Sequence, residues 1–307
     1  MRSSRIIFGF SLLLGSCLIA GAQQISPDEI ERRVNSLLQQ MTIEEKAGQL
    51  AQFAGKSPQT MEMIRQGKVG SLLGVLGAKE NNDAQREAVE HSRLKIPLIL
   101  GYDVIHGYRT VFPVPLASAS SFDPQLIEQS ERVAAKEASA AGLKWTFAPM
   151  LDIARDPRWG RIVEGAGEDP YLGSIIGAAR VRGFQGKGMA DPESVVACAK
   201  HYVAYGATEG GRDYNTVDIS EQLLREVYLP PFHAAVEAGV GTLMSAFNDL
   251  NGIPATANHH TLTEILRGEW KFDGFVVSDY SSVHELIPHG IAADGSEAAL
   301  IPWGISS

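Results

Sequence analysis

The feature that most constrains this chain is an alternation. Short, mainly apolar, strand-like runs at 69–76, 96–101, 143–149, 195–199, 241–247 and 274–277 are separated by stretches of helical spacing at 82–94, 123–141, 171–185, 220–238 and 261–270. A strand that is apolar at successive positions is buried on both faces, and helices between such strands return the chain so that the strands run parallel. The expected class is therefore α/β, and 307 residues favour a (β/α)8 TIM-like barrel over an open sheet. About six strands are visible where a closed barrel takes eight. After Gly295 there is one short helical piece at 296–300 and then the tail 301–307. The barrel is thus expected to be incomplete at its C-terminus, with a sheet edge of the kind that proteins normally cover. Ahead of the first run, 27–54 reads as helical: Pro27 stands near the start, followed by apolar Ile30, Val34, Leu37, Leu38 and Met41. A second helix start, a capping box, falls at Thr42-Ile43-Glu44-Glu45.

The first 22 residues stand apart. Arg2 and Arg5 lead into an apolar run at 6–20 that is too short for a spanning helix and has the pattern of a secretory leader. Ala20-Gly21-Ala22 suits cleavage before Gln23, whereas Leu14-Gly15-Ser16-Cys17 is similar to a lipobox, in which Cys17 would carry a lipid anchor. Leu18-Ile19-Ala20 prolongs the apolar stretch beyond Cys17 and favours ordinary cleavage. The sequence thus predicts a signal peptide at 1–22, a barrel domain at 23–307, export to the periplasm or beyond, and no transmembrane span. Beyond the leader only Cys198 remains, so export here brings no internal disulfide. The 36 acidic against 27 basic side chains, a net charge of −9, leave no basic excess to neutralise a phosphate backbone, which argues against nucleic acid as a partner.

Barrel enzymes place their chemistry where strands end, and five apolar runs end in polar residues: Asp103, Asp152, Lys200-His201, Asn248 and Asp279. Any one of them alone would be unremarkable, since Asp and Asn commonly cap the helix that follows a strand. Recurring at the same end of successive strands, they are expected to converge on one pocket. No His-x-His or Cys-x-x-Cys spacing marks a metal site, His259-His260 reads as loop, and the glycine clusters at 74–77 and 206–211 lack the Lys-Ser/Thr of a phosphate loop and read as turns. No cofactor and no metal are called for. Carboxylates with Arg, Lys and His suit a polyhydroxylated substrate, and glycoside cleavage by two carboxyl groups fits. A strand-end lysine such as Lys200 also admits Schiff-base aldolase chemistry. A sugar-binding or non-folding fragment is the non-enzymatic alternative.

The series Gly101-Tyr-Asp-Val-Ile-His-Gly107, Asp156-Pro-Arg-Trp-Gly-Arg161, Gly167-Glu-Asp-Pro170, Lys200-His201 and Val277-Ser-Asp-Tyr280 resembles glycoside hydrolase family three, in particular its branch of bacterial periplasmic β-glucosidases, from about residue 27 to about 295. The resemblance implies a retaining exo-β-glucosidase acting on β-glucosides or short glucan oligosaccharides, with β-xylosides as the alternative. By position, Asp279 matches the nucleophile, Asp103 the acid that accepts from sugar hydroxyls, and Arg161, Lys200 and His201 donors to the same sugar. Glu285, six residues past the nucleophile, matches the acid/base of the periplasmic branch, whereas many relatives take theirs from a second α/β sandwich domain absent from this sequence. Retention asks for the two carboxyl groups about 5 Å apart. Arg158 and Glu168-Asp169 read as loop-bracing charges. A sister branch that cleaves N-acetylhexosaminides carries a loop histidine that 206–215 lacks.

Overall fold

The computed structural model describes residues 25–300. The expected leader, Cys17 and the tail 301–307 lie outside the described residues. In chain order the elements are α1 (Pro27–Gln40), α2 (Ile43–Gln49), β1 (Gln52–Ala54), α3 (Pro58–Arg65), β2 (Ser71–Leu73), α4 (Ala78–Arg86), β3 (Ile99–Tyr102), α5 (Pro115–Ala119), α6 (Pro124–Ala140), β4 (Trp145–Thr146), α7 (Pro170–Gln185), β5 (Val196–Tyr202), α8 (Glu221–Leu223), α9 (Pro230–Glu237), β6 (Thr242–Ser245), β7 (Asp249–Leu250), β8 (Ile253–Pro254), β9 (Phe275–Ser278) and α10 (Gly295–Leu300). Seven strands form one parallel sheet in the order β1-β2-β3-β4-β5-β6-β9, and β7 and β8 make a small antiparallel hairpin in the connection before β9. With helices around it, this sheet is an incomplete, curled (β/α) barrel.

Two expectations need correction. The sheet has seven strands rather than six, because 27–54 is not helical throughout: α2 ends at Gln49 and Gln52–Ala54 pairs with Ser71–Leu73 as β1. A three-residue strand beginning with glutamine gives no apolar run. His260, expected in a loop, opens the helical segment His260–Glu269, where its Nδ1 lies 2.6 Å from Glu264 and its Nε2 3.1 Å from Glu221. Elsewhere the expected starts hold. The Thr42–Glu45 capping box forms in both directions. Helices α1, α3, α6 and α7 all begin with a proline behind a capping oxygen, from Ser26, Ser57, Asp123 and Asp169 respectively; proline costs nothing where the first helical N–H has no partner anyway.

Alternation along the strands sorts the core into two layers. Leu72, Leu100, Ala199 and Leu243 join the cluster that includes Ile64, Ala134 and Phe184 of the surrounding helices. Trp145, Phe147, Cys198 and Met244 form a second cluster, with Leu73 and Val277 packed against it. Thr242 is the polar member of this inner layer: its Oγ accepts from Trp145 Nε1 at 2.9 Å and donates to Ala197 O. Helix α7 packs between α6 and α9. A Cβ on its Gly183 would stand 2.5 Å from Glu128 O of α6, so that approach requires glycine. Across the same contact Arg180 Nε meets Glu131 Oε1 at 2.7 Å, with side chains only 4% and 7% exposed, and Arg180 Nη2 donates to Ile105 O in the loop after β3. Glu137 of α6 holds that loop a second time through Arg109 N, Thr110 N and Thr110 Oγ1. Helix and loop are thereby tied together a few residues after Asp103.

Candidate active site

Four strands deliver polar side chains to one end of the sheet. Asp103 follows β3, Asp152 follows β4, Lys200-His201 lies within β5, and Asp279 follows β9. Lys200 Nζ donates to Asp103 Oδ1 at 2.8 Å; the lysine side chain is 5% exposed and the carboxylate 48%, so the cation is buried under an acid that still faces solvent. Lys200 and His201 are neighbours, and a regular strand would send them to opposite faces. The β5–β6 register shifts between Ala199 and Tyr202, and both side chains serve the same cluster. His201 Nδ1 lies 2.8 Å from Asp152 Oδ2, and His201 Nε2 lies 3.6 Å from Asp279 Oδ2.

The chain after β4 supplies the rest. Arg161 pairs with Glu164 through both carboxylate oxygens, at 2.7 and 3.0 Å, and its guanidinium lies 5.6 Å from the centroid of the Tyr205 ring. That ring stands edge-on to His201, 5.1 Å between centroids, and to Trp159 at 5.3 Å. Trp159 Nε1 in turn donates to Asp213. Gly206 lets this loop close: a Cβ there would lie 2.3 Å from Ile153 O.

Burial and charge act against each other in this cluster. Burial raises Asp279 above the ordinary carboxylate range, while the Tyr280 N–H, Lys200 and Arg161 pull it back. Burial pushes Asp152 up to about 7, against the His201 N–H that donates to it. His201 is held well below its ordinary value by burial, then by Lys200 and Arg161. Although burial opposes it, the hydrogen bond from Arg161 holds Glu164 below the usual range. Among the described residues, Asp279 Oδ2 is buried with no hydrogen-bond partner, while Oδ1 accepts from Tyr280 N at 2.7 Å. The arrangement is a carboxylate with one oxygen left free, near cations and polar groups able to bind hydroxyls.

Of the residues expected from sequence, Asp103, Lys200, His201 and Asp279 form one cluster, which the charge of Arg161 reaches. Asn248 does not join it: its Nδ2 turns to Val203 O and Asp249 O. Glu285 lies in the turn His284–Leu286, and among the described residues no side-chain hydrogen bond or ion pair ties its carboxylate to Asp279 or His201. Arg158 grips Asp156 and Asp169 caps α7, which is the bracing expected of them. Gly74 and Gly77 adopt φ of 78° and 91° as turn residues. Glu164 is a member of the site that no strand end or motif marks, and its i,i+3 spacing from Arg161 is the one local signal of it. Asp152 was visible as a strand end, but its place behind His201 was not.

A model of the glycosyl hydrolase family 3 N-terminal domain matches residues 42–302. The chain belongs to glycosyl hydrolase family 3. A periplasmic β-glucosidase of Salmonella typhimurium is 46% identical over 285 residues, covering 92% of this chain and 37% of that protein. A β-xylosidase of Formosa agariphila is 40% identical over 281 residues, covering 90% of this chain and 35% of the xylosidase. Among solved structures, a β-glucosidase from Listeria innocua in complex with glucose superposes with a TM-score of 0.84 at 42% identity, over 89% of this chain and 40% of that one. This family 3 chain therefore spans about two fifths of the length of the relatives it matches.

Proposed function

We propose that this family 3 chain carries the nucleophile and the sugar-binding floor of an exported, retaining β-glucosidase that releases terminal β-D-glucosyl residues from short glucosides. The observation that carries the reading is Asp279 Oδ2, buried, unpartnered among the described residues and within reach of Lys200 and Arg161. An ionised oxygen left free in this way attacks the anomeric carbon as the leaving-group oxygen departs, forming a glycosyl-enzyme, and water then attacks the same carbon to release the sugar and regenerate the carboxylate. Asp103, Arg161 and Lys200 would bind the hydroxyls of that sugar. Glu285, or a residue of a second domain, would give the leaving group its proton and then activate the water. The Salmonella relative and the Listeria structure with glucose support the glucoside reading, and the leader at 1–22 supports export.

The Formosa relative favours β-xylosides as the second reading. The two are separated by kcat/KM for dinitrophenyl β-glucoside and β-xyloside, whose leaving group departs without a proton from the acid. The glucoside should be preferred by at least about tenfold, because a site that binds the sugar's exocyclic hydroxyl is left unpaired by xylose. Preference for the xyloside would contradict the glucoside reading. A pH profile of the same reaction tests the electrostatics. The reactive form of Asp279 is the anion, burial raises its pKa, and Lys200 lowers it. K200M should therefore move the acid limb of the profile to higher pH, beyond any loss of rate at the plateau. An unmoved limb would mean that Asp279 is not the group titrating there.

A further inference from the structure

Resting on the proposed role of Asp279, the geometry points to Asp152 as a positioning residue that fixes His201 in the Nδ1–H tautomer, so that Nε2 presents a lone pair to the sugar pocket. His201 then accepts a hydrogen bond from a sugar hydroxyl instead of donating one, and it leaves the nucleophilic oxygen of Asp279 unquenched.

The assignment follows from where the protons of this buried chain can sit. Asp152 is fully enclosed, with a side chain of 0% exposure. Its Oδ2 accepts from His201 N at 3.0 Å and faces His201 Nδ1 at 2.8 Å. The peptide N–H is a donor in every protonation state, so Oδ2 is the accepting oxygen, and the second donor it meets is Nδ1–H. A neutral carboxyl group accepts at its carbonyl oxygen rather than its hydroxyl, so the N–H held on Oδ2 places any proton of Asp152 on Oδ1, whose lack of a partner among the described residues disfavours that protonation. Oδ2 therefore accepts from Nδ1 whether the carboxyl is ionised or neutral. Once Nδ1 carries the proton of a neutral ring, Nε2 is bare.

The groups around the ring keep it neutral. Lys200 beside it on β5 and Arg161 from the loop after β4 disfavour a second proton, and burial does the same, against the opposing charges of Asp279 and Glu164. Tyr205 meets the ring edge-on. On the far side, the 3.6 Å between Nε2 and Asp279 Oδ2 exceeds a hydrogen bond. A proton on Nε2 would point at that carboxylate and blunt it. A bare Nε2 leaves it free, and a sugar hydroxyl entering there has a nitrogen lone pair to donate to.

The tautomer can be read directly, without turnover, from the imidazole nitrogen resonances of 15N-histidine-labelled protein, with His201 assigned by difference against H201Q. A protonated Nδ1 and a bare Nε2 that hold their shifts between about pH 5 and 8 are expected. An Nε2–H tautomer, or an imidazolium in that range, would overturn the proposal even if Asp279 proves to be the nucleophile. Two variants extend the test. D152N keeps an accepting oxygen and should retain the Nδ1–H tautomer, losing less than tenfold in labelling rate with a fluorinated β-glucoside inactivator. D152L removes the acceptor and should release the tautomer and lose about 10²-fold. Equal losses in the two, with both folded, would mean that charge and not acceptance is at work and would overturn the assignment. If D152L fails to fold, the wild-type resonances decide alone.

Discussion

D279A is expected to lower turnover of an activated aryl β-glucoside by about 10⁴-fold or more while the protein keeps its wild-type melting profile. The expectation rests on the separation of two tasks in the site. Asp279 is held by its own peptide surroundings, with Tyr280 N on Oδ1 and Ser282 Oγ on the backbone carbonyl, and its Oδ2 supports no structural hydrogen bond among the described residues. Removing the carboxylate therefore deletes the nucleophile and little of the fold. Restoring a small nucleophile separates the two tasks further. In D279G, added azide should recover part of the rate and yield the glycosyl azide of inverted configuration, because azide then attacks from the face that the carboxylate occupied. Retained activity in D279A, or an azide product of retained configuration, would place the nucleophile elsewhere.

The second large effect is on stability. R180M should destabilise the protein by about 3–5 kcal/mol, since it strands Glu131 in a nearly dry contact between α6 and α7. For a chain of this size that corresponds to roughly 10 °C in thermal midpoint. Burial already raises the pKa of Glu131, and Arg180 is the chief influence pulling it back. A carboxyl whose folded pKa lies above its unfolded value favours the fold when protonated and loses that favour as pH rises through the folded pKa. The deficit of R180M should therefore be largest near neutrality and shrink toward pH 5. Replacing both partners, as E131L with R180M, should recover most of the loss, because no charge is left buried and only Ile105 O lacks its donor. A deficit that is the same at both pH values, or a double variant no better than R180M, would show that packing and not the ion pair sets the stability of this contact.

What was legible in the sequence and what was not divide along physical lines. Strand ends were readable because a polar residue stopping an apolar run is a local signal, and Asp103, Lys200, His201 and Asp279 all carry it. Helix starts were readable for the same reason: Thr42 with Glu45 is complete within four residues. Strand β1 was not, since Gln52–Ala54 has neither length nor an apolar run to set it apart from the helix before it. Asn248 carries the same strand-end signal as the clustered residues, and only the tertiary path of the loop shows that its Nδ2 turns to the backbone. The ion pair of Glu131 and Arg180 joins residues 49 positions apart, and the placement of Asp152 behind His201 joins residues also 49 apart. Nothing periodic marks either pair. The motif series could assign the family, but the order in which buried groups stand behind one another is a property of the folded barrel.

The most direct test of the nucleophile is the intact mass of the chain after incubation with a fluorinated β-glucoside inactivator, followed by peptide mapping. The fluorine destabilises the oxocarbenium-like transition states and so slows breakdown of the glycosyl-enzyme. One added fluoroglucosyl group on the peptide that carries Asp279 is the predicted result. A chain that melts cooperatively yet takes up no label, or carries it on a peptide without Asp279, would contradict the assignment.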